Sequence, residues 1–466
     1  MFKCTGNCSA CGKCHNIFQS QVEKDLVFPE NFISWQASNF KGQFPTNQSN
    51  FGIAFDIGTT TVAAVLWNLD TKEKIHTIGA VNPQRIYGAD VISRIAYCMG
   101  SNEKREHLTL PLHKTFENIV RELVSFAGIS LNQIKKAVFC GNTTMTLLFA
   151  GLSTDGLAHF PFEPDGTMEM PVDFKVDNYN IDSILVSGIK GHLGGDIVCS
   201  MLASEIDAPN ENSILLDLGT NGEVIANLNG KLYGFSTAAG PAFEGANISC
   251  GMSATVGAIS EFNINENDCS FTLIKGTKTH QNALGVCGSG IMSAICNLLK
   301  LGIINKDGVL LDWEDYKRFH PYSSIGNRIL DGEFVLVYEN KETGQKQITI
   351  TQDDIRQLQT AKAAILAGLN ILFSMVDFDP SAIDKVYLAG GFSKISKVVL
   401  EGLHIFPFDL EGKFFCIGNG ALTGASMVLL APWAREKARG FSPQVCRVEL
   451  GNLKEFQEEF LKSFKF

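Results

Sequence analysis

Phe51-Gly-Ile-Ala-Phe-Asp56-Ile57-Gly58-Thr59-Thr60-Thr61 is the stretch that sets the fold class. Its first seven residues read as a buried strand, Gly58–Thr61 as a turn, and Thr61–Leu69 as a second strand, with Asp70-Thr-Lys turning towards a third. The order recurs. Ser213-Ile-Leu-Leu-Asp217-Leu218 is an apolar strand, Gly219-Thr220-Asn221-Gly222 a turn, and Glu223–Leu228 a strand; Asn229-Gly230 then gives a hairpin signal before Lys231–Phe235. In both copies an Asp stands two residues ahead of Gly-Thr, and the copies lie 161 residues apart (217 − 56). Repetition on that scale points to two related α/β lobes and not to a solenoid, whose periods are shorter.

Working outward, apolar residues at helical spacing fill the intervals at Leu108–Phe126, Gly194–Ser204 and Gly290–Leu301. The strongest helix signal covers Asp353–Val376, where Thr351-x-x-Asp354 resembles a capping box. Ala382–Ala389 reads as a strand running into Gly390-Gly391, and Leu450–Phe466 as an amphipathic surface helix. The expected organisation is a Cys-rich head at 1–20, a connector at 21–50, lobes at 51–210 and 211–440, and a helical tail at 441–466.

Turns of this kind suit a phosphate tail. Their glycines let backbone N–H groups come close to anionic oxygens, and Thr59, Thr60, Thr61, Thr220 and Asn221 add hydroxyl and amide groups. An Asp just before such a turn can hold Mg²⁺ directly or through water. A single Asp-x-Gly-Thr turn is weak evidence, and a pair of plain hairpin turns is the bland alternative. Rival signatures are missing: Gly12-Lys13, Gly230-Lys231 and Gly412-Lys413 are followed by Cys, Leu and Phe, so no P-loop is present. Gly418-x-Gly420-x-x-x-Gly424 misses the dinucleotide spacing by one residue.

Asp56-Ile-Gly-Thr-Thr-Thr61 resembles the first phosphate motif of the acetate and sugar kinase, heat-shock chaperone and actin superfamily, and Asp217-Leu-Gly-Thr-Asn-Gly222 its second. Leu388-Ala-Gly390-Gly391-Phe392 resembles its adenosine motif, and Gly141–Met145 and Gly418–Ala425 its connecting segments, all five in family order. The resemblance implies two RNase H-like lobes around a Mg-ATP cleft. A narrower set is similar to the reductive activators of corrinoid enzymes: Asn82-Pro-Gln84, Tyr87–Arg94, Gly194-Gly-Asp196, Gly240–Gly245, Val286–Ile291 and Ala361–Ile365. That resemblance covers roughly residues 51–430. It implies ATP-driven electron transfer from an iron–sulfur centre to cob(II)alamin, giving cob(I)alamin for an anaerobic methyltransferase system. The partners so implied are a corrinoid protein and a low-potential donor such as a ferredoxin or flavodoxin; a homodimer stays open.

By the same resemblance, Asp56 and Asp217 hold Mg²⁺ through its water shell, and Gly58, Gly219, Gly222, Gly390, Gly391 and Phe392 shape the nucleotide site. Asp196 is the candidate catalytic base and Glu244 the second candidate, although an Asp opening a helix also serves as a simple cap. His192, Cys287 and Lys362 are given no chemistry, a helical Lys usually lying on a solvated face.

Composition bounds the remainder. Of 466 residues, 39 are Lys or Arg and 49 Asp or Glu, a net charge of −10 that argues against nucleic acid. No stretch reads as a membrane span and no signal peptide is evident, so a cytoplasmic protein is expected. Thirteen cysteines include Cys4, Cys8, Cys11 and Cys14 within the first 14 residues, where even spreading would put about 0.4. Four thiolates so close, with Gly6 and Gly12 to curl the loop, favour a [4Fe–4S] cluster; zinc and a metal-free head stay open. The alternative function is a sugar-kinase-like phosphotransferase with a zinc-binding tail, and a weaker one is a chaperone-like binding module.

Overall fold

The computed structural model describes residues 26–39, 49–163, 169–219, 221–274, 282–390 and 395–466. The cysteines expected to hold a cluster, at 4, 8, 11 and 14, lie outside the described residues, as do Thr220, Gly391 and Phe392.

Phe51–Ile57 (β1), Thr61–Asn68 (β2) and Lys74–Val81 (β3) form an antiparallel meander. Ile134–Gly141 (β4), Met170–Val176 (β5) and Tyr179–Leu185 (β6) complete a six-stranded sheet in the order β3-β2-β1-β4-β6-β5, with β4 parallel to β1 and β6 parallel to β4. Ser213–Leu218 (β7), Gly222–Leu228 (β8) and Lys231–Thr237 (β9) repeat the meander. Two three-stranded sheets follow, built from Ala258–Ile264 (β10), Cys269–Leu273 (β11) and Gly285–Val286 (β12), then Ile329–Leu330 (β13), Glu333–Val337 (β14) and Ile348–Ile350 (β15). Lys385–Ala389 (β16), Phe414–Cys416 (β17) and Val445–Arg447 (β18) finish a second six-stranded sheet, β17-β16-β7-β8-β9-β18. With β1 set on β7, the run β3-β2-β1-β4-β6 maps onto β9-β8-β7-β16-β17, antiparallel and parallel pairs included. The duplicated α/β architecture read from the two Asp-Gly-Thr turns is present.

Strand periodicity decides where the two aspartates point, because alternate side chains leave opposite faces. On β1, Phe51, Ile53, Phe55 and Ile57 join the core under the Asn102–Ala127 helix, and Ala54 joins the core between the sheets. On β7, Ile214, Leu216 and Leu218 join the core beside the Gln352–Met375 helix, and Leu215 joins the inner one. Asp56 is in phase with Ala54 and Asp217 with Leu215. Both therefore face the seam between the sheets.

Two helices fill that seam. Gly195–Ser204 and Gly420–Leu430 pack against each other, and the second lies on β1 and β4 although its sequence falls within 211–440. The chain thus crosses back to the first sheet. Gly424 makes the crossing possible: a Cβ there would stand 2.0 Å from the Cys199 carbonyl oxygen.

Element boundaries shift where caps, not apolar spacing, set them. Asn102–Ala127 starts six residues before Leu108 because Ser101 caps it, its side chain accepting from the Lys104 N–H at 3.3 Å. The expected capping box at Thr351 and Asp354 is present. Inside the expected connector, Glu30–Asn39 is helical. Aromatic stacking holds it rather than periodicity: Phe32 is fully buried, 4.9 Å from Phe28 and 6.4 Å from Trp433. Just before it, Leu26 makes an antiparallel bridge to Gly418 at the seam. The expected helical tail contributes β18 before its Lys454–Lys462 helix.

Gln352–Met375 is, among the described residues, long and apolar enough to cross a membrane, contrary to the sequence reading; 67% of its most apolar window is buried inside the fold. Lys362 on this helix corrects a second expectation. It is fully buried, because the C-terminal segment covers it: its Nζ donates to the Lys465 carbonyl and lies 5.6 Å over the Phe466 ring. Burial pulls its pKa down to about 8.

The seam leaves Gly424 no room for a side chain. Gly424→Ala should destabilise by about 1–3 kcal/mol through overpacking against a helix backbone that cannot yield. Gly451→Ala, with nothing within 4 Å, should stay within about 0.5 kcal/mol. Thermal melts of the two variants check the contrast.

Candidate active site

The centre of the seam is acidic. Asp56 is the last residue but one of β1, where Asn419 Nδ2 donates to its Oδ2 at 3.0 Å. Asp217 occupies the matching place on β7 and accepts from Ser200 Oγ at 3.3 Å. Asp196 sits in the first turn of Gly195–Ser204, accepting from the Ile197 N–H at 2.8 Å. The helix N-cap is Gly194, so Asp196 is not itself the cap. A Cβ at Gly194 would meet the Gly141 oxygen at 2.5 Å, which is how this helix approaches the end of β4 so closely.

Burial raises all three carboxyls above their ordinary range. Asp56 rises to about 6, with Asn419 partly offsetting the desolvation. Asp217 also reaches about 6, through burial and then the nearby Asp56 charge. Asp196 reaches about 8, through burial and then Asp217 and Asp56. A fourth acid joins them. Glu223 stands directly across the β7–β8 ladder from Asp217, is 9% exposed, and is pushed well up by burial and by Asp196 and Asp217. Like charges opposite each other on a ladder are destabilising, so the pairing calls for a cation or a proton.

The turns lie beside this cluster. Glu244 spans them: Thr60 Oγ1 donates to its Oε2 at 3.3 Å, and its Oε1 is 3.6 Å from where a Gly219 Cβ would stand. Asn142 Nδ2 donates to Thr59 Oγ1 at 3.0 Å. In the second turn the Gly219 N–H donates to the Asn221 carbonyl at 2.9 Å, and the Asn221 side chain hydrogen-bonds Glu223. Gly58 must be glycine, since a Cβ would meet the Thr61 oxygen at 2.4 Å. Gly390, at φ +81°, would put a Cβ 2.6 Å from Asp217 Oδ1. The adenosine-motif turn therefore abuts the second Asp itself.

The structure thus brings together Asp56, Thr59, Thr60, Asp196, Asp217, Gly219, Asn221, Glu244 and Gly390. Thr61 and Gly222 begin β2 and β8 next to them. Sequence reasoning missed Glu223, Asn419 and Ser200. Glu223 was within reach, because a hairpin closing on Gly219–Gly222 forces the register that pairs it with Asp217. Asn419 lay inside the Gly418–Ala425 segment with no role assigned to it, and Ser200 gave no such signal; each acts across the fold. His192 lies elsewhere in company, 5.4 Å from the Phe162 ring with its pKa lowered by burial and Arg447. Cys287 is buried, its Sγ 3.3 Å from the Ile259 carbonyl.

The donor set fits a hydrated divalent cation. Four carboxyls with raised pKa surround the seam, and Mg²⁺ keeps several waters while binding through one or two carboxylates. Among the described residues no three His, Cys, Asp or Glu side chains converge to ligate an ion directly.

Comparison with known proteins places the chain. Residues 211–466 match the family described as the C-terminal domain of RACo, the ASKHA domain, and residues 51–209 match the RACo middle region. The corrinoid activation enzyme RamQ of Eubacterium limosum is 31% identical over 440 residues, covering 91% of this chain and 72% of that protein. The [Co(II) methylated amine-specific corrinoid protein] reductase of Methanosarcina barkeri is 26% identical over 287 residues, 55% of this chain and 52% of that one. The solved reductive activator for a corrinoid, iron–sulfur protein superposes with a TM-score of 0.79 at 32% identity, covering 91% of this chain and 67% of that one.

The acid cluster has a pH signature. A carboxyl whose folded pKa is raised contributes stability that is full below its unfolded value and is lost as pH climbs from there to the folded value. The metal- and nucleotide-free protein should therefore melt at progressively lower temperature as pH rises above the ordinary value of 3.8, the loss ending near 6 for Asp56 and Asp217 and near 8 for Asp196. Mg²⁺ should flatten the fall, and Asp196→Asn should remove its upper part. A melting temperature that rises across this window contradicts the cluster.

Proposed function

The chain belongs to the RACo family of corrinoid reductive activators, and from that membership we propose that it uses ATP to reduce the cob(II)alamin of a partner corrinoid protein. The step is a one-electron reduction: Co(II) gains one electron and becomes Co(I), while ATP and water become ADP and phosphate. The product, cob(I)alamin, re-enters a methyltransferase cycle. A low-potential carrier such as a ferredoxin or flavodoxin supplies the electron in a cytoplasmic, anaerobic setting.

The observation that carries the ATP reading is the pair of half-buried aspartates, one per lobe, facing one seam at equivalent places near their strand ends. In this reading Asp56 and Asp217 hold Mg²⁺ through water, which offsets phosphate charge. Thr59, Thr60, Thr61, Thr220 and Asn221 cradle the phosphates, with Gly58, Gly219 and Gly222 allowing close approach; Gly390, Gly391 and Phe392 lie against the adenosine. Asp196 orients and deprotonates the attacking water. A carboxyl near neutrality suits a group that takes a proton, and positioning plus electrostatics is most of what phosphoryl transfer needs. Glu244, touching Thr60, is the second candidate.

Cys4, Cys8, Cys11 and Cys14 are the proposed ligands of an iron–sulfur cluster, which would supply the one-electron donor. Leu26, twelve residues after Cys14, is bridged to Gly418, and the next residue, Asn419, holds Asp56. The phosphotransferase alternative is not favoured, since the curated relatives carry the names of a corrinoid activation enzyme and a corrinoid protein reductase.

Mixed without oxygen with a strong reductant, ATP and a cob(II)alamin-loaded protein, the chain should produce the cob(I)alamin absorption band. Asp196→Asn should cut ATP hydrolysis by about 10²-fold or more with ATP binding kept. Cys8→Ala with Cys11→Ala should abolish reduction and spare ATP binding. A chain that transfers phosphate to a small molecule and never yields the band overturns the proposal.

A further inference from the structure

Beneath the first phosphate turn lies a buried polar clamp. Asn82, Gln84 and Arg94 are all fully buried, and Thr59 is 8% exposed above them. Asn82 Nδ2 donates to the Gly58 carbonyl at 2.8 Å, and the Asn82 N–H donates to the Thr60 carbonyl at 3.0 Å. Arg94 Nη2 donates to the Thr59 carbonyl at 2.6 Å. Its Nε donates to the Gly88 carbonyl at 3.0 Å, and its Nη1 to Gln84 Oε1 at 3.2 Å and towards Met145 Sδ at 3.1 Å. Gln84 in turn donates to the Leu108 carbonyl at 3.1 Å, which ties the clamp to the Asn102–Ala127 helix.

Such an arginine is expensive for stability alone. Burying a cation without a bonded carboxylate costs several kcal/mol in general, and none of Arg94's hydrogen-bond partners is a carboxylate. Burial lowers its pKa only to about 10, so it stays charged at neutral pH. The geometry gives it another use. In a planar trans peptide the C=O and the N–H point in opposite directions. With the Gly58 and Thr59 carbonyls drawn down to Asn82 and Arg94, the N–H groups of Thr59 and Thr60 turn the other way, off the clamp. Successive N–H groups aimed together form an anion-binding nest.

We infer that Asn82 and Arg94 are positioning residues that lock two successive peptides of the first turn so that the Thr59 and Thr60 N–H groups bind nucleotide phosphate. Arg94 adds a fixed positive charge behind that nest. This rests on the ATP reading above, and deepens it by assigning the residues that make the turn bind an anion.

The test compares Mg-ATP with adenosine, which lacks phosphate, as ligands of the full chain. Arg94→Met and Asn82→Ala should each weaken Mg-ATP at least about tenfold while adenosine affinity shifts less than about threefold, and Arg94→Lys should recover part of the ATP loss. Should Arg94→Met fail to fold by circular dichroism, Asn82→Ala and Arg94→Lys are read on the same scale. Equal losses for both ligands, or an Mg-ATP affinity within about threefold of wild type in the variants that fold, overturn the inference. Wild-type protein that binds no Mg-ATP overturns the nucleotide reading itself, a distinct result.

Discussion

Everything in this molecule is arranged around carboxylates that would rather not be neighbours. Asp56 and Asp217 arrive at one seam from two sheets, Asp196 arrives from the helix between them, and Glu223 faces Asp217 across a ladder. Burial and mutual repulsion raise their pKa values, so the seam is poised to take up positive charge. A folded chain keeps such a cluster only if surrounding structure over-determines it, and here two six-stranded sheets and two closely packed helices do so. The repeated strand order brings one Asp from each sheet to the same place. Strand phase then aims both inward.

The seam is also where parts distant in sequence meet. The Gly420–Leu430 helix comes from the second half of the chain yet rests on β1 and β4, its approach permitted by the bare backbone at Gly424. Asn419, at its N-cap, reaches Asp56, and Gly418 is bridged by Leu26. Gly390 fits against Asp217 only because it has no Cβ. A movement of one lobe relative to the other must therefore pass through the residues that touch the aspartates and through the N-terminal anchor.

Much of this was legible in the chain. Apolar strands carrying Asp56 and Asp217, each ahead of a Gly-Thr turn, were enough for the two-lobed α/β fold and for the two turns that meet at its seam. Three things were not. The Gly420–Leu430 helix is apolar on all sides, so its pattern could not say which sheet it covers. Lys362 is in phase with Ile355, Leu358, Ile365 and Leu369, but a lysine's usual preference for water argued against that phase, and the covering C-terminal segment supplies the carbonyl to which its Nζ donates. Asn82 and Arg94 stood in a recognisable motif, but their work is done on main-chain carbonyls, which leave no mark in side-chain patterns.

A double-mutant cycle on Mg-ATP affinity tests the central claim most directly, because it asks whether the two lobes share one ion. Asp56→Asn and Asp217→Asn should each remove much of the Mg²⁺-dependent affinity. The double variant should then be no weaker than the worse single one by more than about threefold, since contacts to a common partner are not additive. Losses that simply multiply, or Mg²⁺ dependence untouched in both single variants, would contradict a single site built from both sheets.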